Sequence, residues 1–317
     1  MKVVVTDYTF PALEQETAAA RAAGAAIASY QCKCAEEVAA AVAGADVVVV
    51  QFSSFGPAAA AAVNPGATVI RYGVGYNNID LAACAQHGLK VGYVPDYCAD
   101  EVADHTAAAA LTLLRKLVAM DNSVRVGEWA AVKIAKPMKP FNKTNFGFFG
   151  LGNIGRAVHT RLKGFGFQFL AADPGLTEAQ AAELGVRKVT PDALLREADI
   201  ISLHAPATVE TTGYFNAIRL KTMQPHAMLV NSARGQLIIE ADLAEALTAG
   251  TIAAAALDVF HVEPLPADSP LRAAPNLLLT PHAAWYSEAA IHQLQYLVAN
   301  DIARALAGQD PRKPVPH

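Results

Sequence analysis

The sequence predicts an α/β protein of two doubly wound parallel-sheet domains, one inserted into the other. Three observations carry that reading. Short β-branched runs alternate with alanine-rich helical stretches from residue 3 to residue 93. A glycine triplet, Gly150-x-Gly152-x-x-Gly155, sits between an apolar strand-like run and a helix-like run. The triplet comes so late that its sheet must be a second unit, and further strand-like runs and a long closing helix follow it.

In the first unit Val3–Thr6, Ala26–Tyr30, Val47–Gln51, Thr68–Tyr72 and Leu89–Tyr93 read as strands. Glu14–Ala23, Ala35–Val42, Ala58–Val63 and Leu81–Gln86 read as the helices between them. Such alternation specifies a parallel sheet with helices on both faces. Asp100–Val118 follows as a helix with Val102, Ala109, Leu113 and Leu117 on one face, and residues 120–143 read as an irregular connection. The second unit takes Phe146–Phe149, Phe167–Ala172, Ile200–His204, Ala227–Asn231, Ala253–Asp258 and Leu277–Thr280 as strands. Ser287 is the expected N-cap and Gly308 the stop of a terminal helix, with Ile291, Leu294, Val298 and Ile302 on one face.

A chain of 317 residues is comfortable for two domains, and 53% hydrophobic with 17% charged residues suits a soluble globular enzyme with a sizeable core. The net charge of −4 offers no basic footprint for nucleic acid. Lys133, Lys136, Lys139 and Lys143 are interspersed with prolines and apolar residues and read as a solvated loop. Cys32, Cys34, Cys84 and Cys98 form neither a C-x-x-C pair nor a zinc set, so no metal is expected. Residues 1–7 read as a strand, not a signal peptide, and no apolar run reaches membrane-spanning length. The expectation is a cytoplasmic protein with no membrane partner.

The glycine triplet is the most specific local signal. A strand that ends in glycines and enters a helix presents backbone N–H groups and a helix N-terminus to a diphosphate. Gly150 permits the tight turn, Gly152 allows phosphates to approach the backbone, and Gly155 lets the helix pack on the sheet. Asp173 follows the next strand-like run, 18 residues after Gly155, where an adenosine ribose needs an acidic partner. A carboxylate there accepts from the ribose hydroxyls and repels a 2′-phosphate. Pro174, Gly175 and Leu176 supply no cation to offset that repulsion, so NAD is expected rather than NADP.

Three polar groups emerge after strand-like runs of the second unit: Arg234, Glu263 and His282. Ligands of parallel sheets bind at the carboxyl ends of strands. Moving a hydride between nicotinamide and a 2-keto acid needs a fixed cation for the carboxylate and carbonyl, which Arg supplies with its planar fork. It needs a proton donor for the developing alkoxide, which His supplies near neutral pH. It also needs a group that orients the His and stabilises its imidazolium, as a neighbouring carboxylate does. Taken singly, each has a plainer reading: Arg234 as a turn residue, His282 as a structural or surface His, Glu263 as a solvated loop residue. Their joint appearance after the dinucleotide fingerprint favours catalysis.

From residue 67 to 290 the chain resembles the D-isomer-specific 2-hydroxyacid dehydrogenase family. RYGVGYNNID, VPDYCADEVADHT, GFFGLGNIG, DIISLHAPAT, MLVNSARG, ALDVFHVEP and TPHAAW occur in that family's order. The resemblance implies a Rossmann NAD-binding domain, residues 99–286, inserted into a flavodoxin-like substrate-binding domain of residues 1–98 and 287–317. It implies Arg234 as substrate anchor, His282 as general acid/base and Glu263 as its partner, acting on a small 2-keto acid and its (R)-2-hydroxy acid. Val74 and Gly75 would offer backbone N–H groups to the substrate carboxylate, unless that turn is only a tight connection. Thr106, Asn153, Ile154, His204, Pro206, Thr211, Ala233 and Asp258 match positions that line the cofactor, with ordinary strand-end packing the other reading for several.

Within the family, HAAW and RYGVG are similar to the C-terminal-binding-protein branch. This implies that Trp285 lines the substrate pocket, if it is not domain packing, and that Arg71 adds a contact, if it is not a structural ion-pair partner. The loop Gln51–Phe55 reads QFSSF, without the basic residues that the family's glyoxylate and phosphoglycerate members often place there, so a phosphate-bearing substrate is not expected. The chain ends soon after the terminal helix, leaving no room for the regulatory domain of many serine-pathway members, and Glu263 argues against the formate dehydrogenase branch. Two other functions remain open: an NADH-sensing, corepressor-like binding protein with little turnover, and a dehydrogenase of a small phosphonate or sulfonate acid. A homodimer through the NAD-binding domain is expected, because Asp100–Val118 resembles the family's dimer-forming segment.

Overall fold

Val47–Val50 is buried throughout, as a central strand covered by helices on both faces must be. It lies in the first of two units into which the chain divides, Met1–Cys98 with Tyr286–His317 and Ala99–Trp285. The computed structural model describes residues 1–315.

The first unit runs β1 (Lys2–Val5), α1 (Glu14–Ala22), β2 (Ala26–Ser29), α2 (Ala35–Ala41), β3 (Val47–Val50), α3 (Pro57–Ala62), β4 (Thr68–Arg71), α4 (Leu81–Gln86) and β5 (Lys90–Tyr93). The strands pair in parallel in the order β2-β1-β3-β4-β5, which is the flavodoxin-like order. Register pairs Val5 with Val49 and Val50 with Arg71, so the segments leaving β1, β3 and β4 emerge side by side at one sheet end.

The second unit continues with α5 (Ala99–Leu114), α6 (Leu117–Arg125), α7 (Ala131–Ala135), β6 (Asn145–Phe149), α8 (Asn153–Leu162), β7 (Gln168–Ala172), α9 (Glu178–Leu184) and β8 (Val186–Lys188). It is completed by α10 (Pro191–Glu197), β9 (Ile200–Leu203), α11 (Ala217–Leu220), β10 (Met228–Asn231), α12 (Glu240–Thr248), β11 (Ala254–Leu257) and β12 (Leu277–Leu279). Its seven-stranded parallel sheet has the order β12-β11-β10-β9-β6-β7-β8. Six of these strands reproduce the Rossmann order, with β12 added beyond β11, and the order reverses between β6 and β9.

Alternation along the strands fills both faces. Phe146, Phe148, Phe169, Ile200, Met228 and Val230 enter one buried cluster, while Phe149, Leu170, Ile201, Leu203 and Leu229 enter the other. Truncating a buried Phe of this kind to Ala costs about 3–5 kcal/mol. The terminal helix α13 (Glu288–Leu306) belongs to the first unit, where it packs on α1, β3 and β4. Ser287 caps it by accepting from the Ala290 N–H at 2.9 Å, and Gly308, at φ 76°, lies just past its end.

The run Asp100–Val118 is not one helix. Lys116 takes a left-handed conformation, φ 51°, after α5, and its ammonium donates to the carbonyl of Lys136 at 2.8 Å. Leu117 therefore begins a new helix with its side chain exposed, not on the buried face with Val102, Ala109 and Leu113. Residues 120–143, expected to be irregular, contain most of α6 and all of α7. Strand β8 was not foreseen, since Val186–Lys188 has three residues, two of them basic, and pairs only along β7.

Candidate active site

The dinucleotide fingerprint occupies the turn from β6 into α8. Gly150 has φ 88°, and a Cβ there would lie 2.9 Å from the Ala205 nitrogen, so both conformation and space require glycine. Gly152 is the N-cap of α8, and a Cβ on it would meet nothing within 4 Å. That open space in front of a helix N-terminus fits a diphosphate. A Cβ on Gly155 would come within 3.0 Å of the Gly150 carbonyl, so the helix packs tightly on the turn. Asn153 is exposed and Ile154 half-buried in the first turn of α8.

Asp173 follows β7 and is half-buried. Its Oδ2 accepts from the Leu151 N–H at 2.6 Å and its Oδ1 from the Gly175 N–H at 2.7 Å. The carboxylate thus ties the glycine turn to the end of β7 and retains lone pairs for hydroxyl donors. The residues present fit NAD.

On the other side of the switch point, His204 follows β9. Its Nε2 lies 2.9 Å from the hydroxyl of the fully buried Ser202. Part of His204 stays accessible, yet its ring is deep enough for burial to bring its pKa down to about 4, so it is neutral near pH 7. Thr211 donates to the Pro206 carbonyl at 2.6 Å and accepts from the Thr208 N–H at 2.8 Å, closing the loop after β9. Thr106 is fully buried; its hydroxyl donates to Val102 O at 2.7 Å and lies 2.5 Å from Ser232 Oγ, so it supports the loop after β10. Ala233, on that loop, is half-buried, with its N–H on Asn231 Oδ1 at 3.0 Å.

The three candidate catalytic groups belong to loops after β10, β11 and β12. Asn231 fixes the first by donating to the Arg234 carbonyl at 2.8 Å. A Cβ on Gly235 would fall 2.0 Å from the Phe260 carbonyl carbon, so the Arg234 loop lies directly against the loop after β11. Glu263 Oε1 accepts from the Phe260 N–H at 2.9 Å, and Oε2 lies 2.6 Å from His282 Nδ1. Burial pushes the Glu263 carboxyl up. The hydrogen bond and charge of His282, the Phe260 N–H and the Arg234 charge outweigh burial and hold it below the usual carboxylate range. The carboxylate engages the ring through Nδ1 and so fixes its orientation. The pair is about one-third exposed, 37% for His282 and 31% for Glu263.

Asp258 has a task the sequence did not indicate. It is almost fully buried, and its Oδ1 accepts from Thr280 Oγ1 at 2.5 Å and the Ala283 N–H at 2.9 Å. Its Oδ2 accepts from the Ala284 N–H at 2.9 Å, and its carbonyl accepts from the His282 N–H at 2.8 Å. His282 itself sits at φ 52°, an uncommon conformation for a non-glycine residue. Asp258 thus holds the Thr280 hydroxyl before a strained residue and the backbone N–H groups at and after it. Trp285 ends this segment half-buried.

The candidate substrate-binding backbone lies in the first unit, where Gly73, at φ 132°, opens the turn after β4 and Val74 and Gly75 are half-buried. The Arg71 guanidinium stands 5.9 Å from the Phe52 ring centroid. Burial pushes the thiols of Cys32 and Cys84 up, the latter to about 11, so neither is a reactive thiolate near pH 7. Among the described residues no cluster of three or more His, Cys, Asp or Glu could hold a metal, and no helix is long and apolar enough to cross a membrane.

A Rossmann sheet with an intact glycine turn and acidic β7 terminus, joined to an imidazole–carboxylate pair beside an arginine loop, defines a nicotinamide-dependent oxidoreductase. Residues 107–284 match the model of the "D-isomer specific 2-hydroxyacid dehydrogenase, NAD binding domain". The chain is 36% identical over 245 residues to a glyoxylate reductase of Korarchaeum cryptofilum, covering 77% of this chain and 74% of that one. It is 37% identical over 245 residues to the D-3-phosphoglycerate dehydrogenase of Archaeoglobus fulgidus, covering 77% of this chain but only 46% of the relative. The apo-structure of D-lactate dehydrogenase from Escherichia coli superposes with a TM-score of 0.80 at 26% identity over 100% of both chains. The protein belongs to the D-isomer-specific 2-hydroxyacid dehydrogenase family and is an NAD-dependent oxidoreductase.

Proposed function

We propose that the protein interconverts a small 2-keto acid and its (R)-2-hydroxy acid. The observation that carries this reading is the 2.6 Å contact between His282 Nδ1 and Glu263 Oε2, on loops adjoining that of Arg234. Bound NADH supplies the hydride. Arg234 binds the carboxylate and polarises the carbonyl, and His282 Nε2 delivers a proton to the oxygen as it becomes an alkoxide. Glu263 orients the ring through Nδ1 and stabilises the imidazolium that donates. In the first unit, the turn at Val74 and Gly75 is assigned as a source of backbone donors for a substrate carboxylate. Asp173 accepts from the adenosine ribose and disfavours a 2′-phosphate.

We assign the cofactor-lining roles to Gly150, Gly152, Asn153, Ile154, Gly155, His204, Pro206, Thr211 and Ala233, with Thr106 and Asp258 acting through the loops they hold. A homodimer fits the second unit, where Val126, Trp129 and Val132 are 77%, 93% and 70% exposed. Apolar side chains exposed from the end of α6 to the start of α7 mark an interaction surface. A cytoplasmic location accords with this chemistry.

The experiment is a panel of glyoxylate, hydroxypyruvate, pyruvate and bulkier 2-oxo acids with NADH or NADPH, followed by nicotinamide absorbance. The reading predicts turnover of at least one acid and a preference for NADH. Tight NADH binding without turnover of any of them would replace it with a sensing role.

A further inference from the structure

The start of α12 reaches across to the loop that carries Glu263. Glu240, the first residue of that helix, is half-buried, and its Oε1 accepts from the His261 N–H at 2.6 Å. Phe260 enters the core as the chain leaves β11, but His261 and Val262 after it are exposed. Side-chain packing therefore does little to hold this stretch, and hydrogen bonds must. Two successive backbone N–H groups go to two different carboxylates, Phe260 to Glu263 at 2.9 Å and His261 to Glu240. The first bond sets the curl of the loop from within. The second ties the loop to a neighbouring element.

That element is firmly anchored. The Phe215 N–H donates to the Leu237 carbonyl at 3.0 Å, and the Ile239 N–H donates to the Phe215 carbonyl at 3.0 Å. Phe215 and Leu237 are fully buried. Asp242, in the first turn of α12, accepts from the Ala217 N–H at 2.7 Å and fixes the same turn to α11. A carboxylate at position 240 also suits the positive end of the helix. The segment that begins with Arg234 thus ends in the side chain that holds the loop of Glu263.

We propose that Glu240 is a positioning residue for the imidazole–carboxylate pair. By holding the His261 N–H it fixes the loop from Phe260 to Glu263, and with it the reach of Glu263 to His282. This rests on the reading that Glu263 supports His282 in proton transfer, and Glu240 acts only through Glu263. A contact of 2.6 Å tolerates little slack, since a displacement of about 1 Å in a catalytic group lowers the rate about a hundredfold. What position 240 must supply is an acceptor oxygen at the reach of a glutamate; the negative charge is dispensable.

The test measures kcat, keto-acid KM, NADH affinity and Tm for Glu240→Ala, Glu240→Asp, Glu240→Gln, Glu263→Gln and the double variant Glu240→Ala/Glu263→Gln. Glu240→Asp keeps the charge but falls one methylene short of His261, whereas Glu240→Gln loses the charge and keeps the oxygen in place. Glu240→Ala and Glu240→Asp should lower kcat by about fivefold to tenfold with NADH affinity unchanged, and Glu240→Gln by no more than about twofold. The double variant should fall within about twofold of Glu263→Gln alone, because both changes remove the same support. Asp242→Ala removes a bond of the same kind from the same helical turn to α11, so it should lower Tm and leave kcat within about twofold.

Glu240→Asp as fast as the wild type overturns the proposal, as does Glu240→Gln as slow as Glu240→Asp, and both arms stand even if Glu240→Ala fails to fold. Losses that multiply in the double variant overturn it too, because they place Glu240 outside the path through Glu263. An equal kcat loss in Asp242→Ala would reduce the effect to general loosening of the helix start and overturn it likewise. Full speed in Glu263→Gln overturns the underlying reading of the pair, whereas a slow Glu263→Gln beside an indifferent position 240 overturns the proposal alone.

Discussion

Replacing Asp258 by Asn changes one atom and leaves the volume of the site intact. Its Oδ1 serves Thr280 Oγ1 and the Ala283 N–H, and its Oδ2 serves the Ala284 N–H. An asparagine has one carbonyl oxygen and one NH2, so in either orientation a buried backbone N–H of the 283–284 pair faces another donor. Losing a charge-assisted hydrogen bond costs about 1.5–3 kcal/mol, and an unsatisfied buried donor about 1–3 kcal/mol, so a net loss of about 3 kcal/mol is expected. In a unit of this size that lowers Tm by roughly 6–12 °C. The kinetic effect should be larger than the stability effect suggests. His282 holds its φ of 52° through the flanking bonds to Asp258, and a shift of about 1 Å in a catalytic group costs about a hundredfold in rate. The assay is steady-state reduction of the best keto acid, with NADH affinity by fluorescence titration and Tm by calorimetry. A hundredfold-scale loss of kcat with NADH affinity within about threefold supports the positioning role. Unchanged kcat, or a loss explained by weakened NADH binding, would refute it.

Glu263→Gln preserves shape but removes the charge beside His282. With the pair about one-third exposed, the effect is discounted to about tenfold in kcat/KM near neutral pH. The ring loses the carboxylate that orients it, so the loss should fall on kcat with NADH affinity retained; an unchanged kcat would exclude the pairing. His204, with a folded pKa of about 4 against about 6.5 unfolded, binds fewer protons folded than unfolded. Its contribution to stability is complete above pH 6.5 and is lost as pH falls through 4, by at most about 3 kcal/mol. Denaturant titrations of His204→Gln should show a shallower acid decline than the wild type across that window, and an equal decline would contradict the burial argument. Trp129→Glu, which places a charge on a side chain 93% exposed in the single chain, should shift the protein toward monomer in sedimentation, while an unchanged mass would remove α6–α7 from the interface.

Features that glycine, proline and period-two hydrophobicity determine were readable in advance. Gly150, Gly152 and Gly155 occupy the turn, the helix cap and the close approach that their spacing indicates. The parallel sheets follow from strands such as Val47–Val50, apolar at every position because both faces are covered. Lys116 was opaque, since nothing in Arg115-Lys116-Leu117 marks a left-handed break that depends on the Lys136 carbonyl far along the chain. Carboxylates after strands were the other blind spot. Asp7, Asp173 and Asp258 look alike in sequence, each following a β-branched or apolar run. Asp173 holds Leu151 and Gly175, Asp258 holds the His282 segment, and Asp7 holds the loop after β3. Which backbone N–H groups a carboxylate meets depends on neighbouring loops brought together by the sheet, not on its own flanking residues.

The account turns on proton delivery from His282, and the most direct measurement is single-turnover NADH oxidation by His282→Ala with a keto acid the wild type reduces. The account predicts a rate lower by about a hundredfold to ten-thousandfold, with NADH affinity retained. Oxidation at the wild-type rate would contradict it.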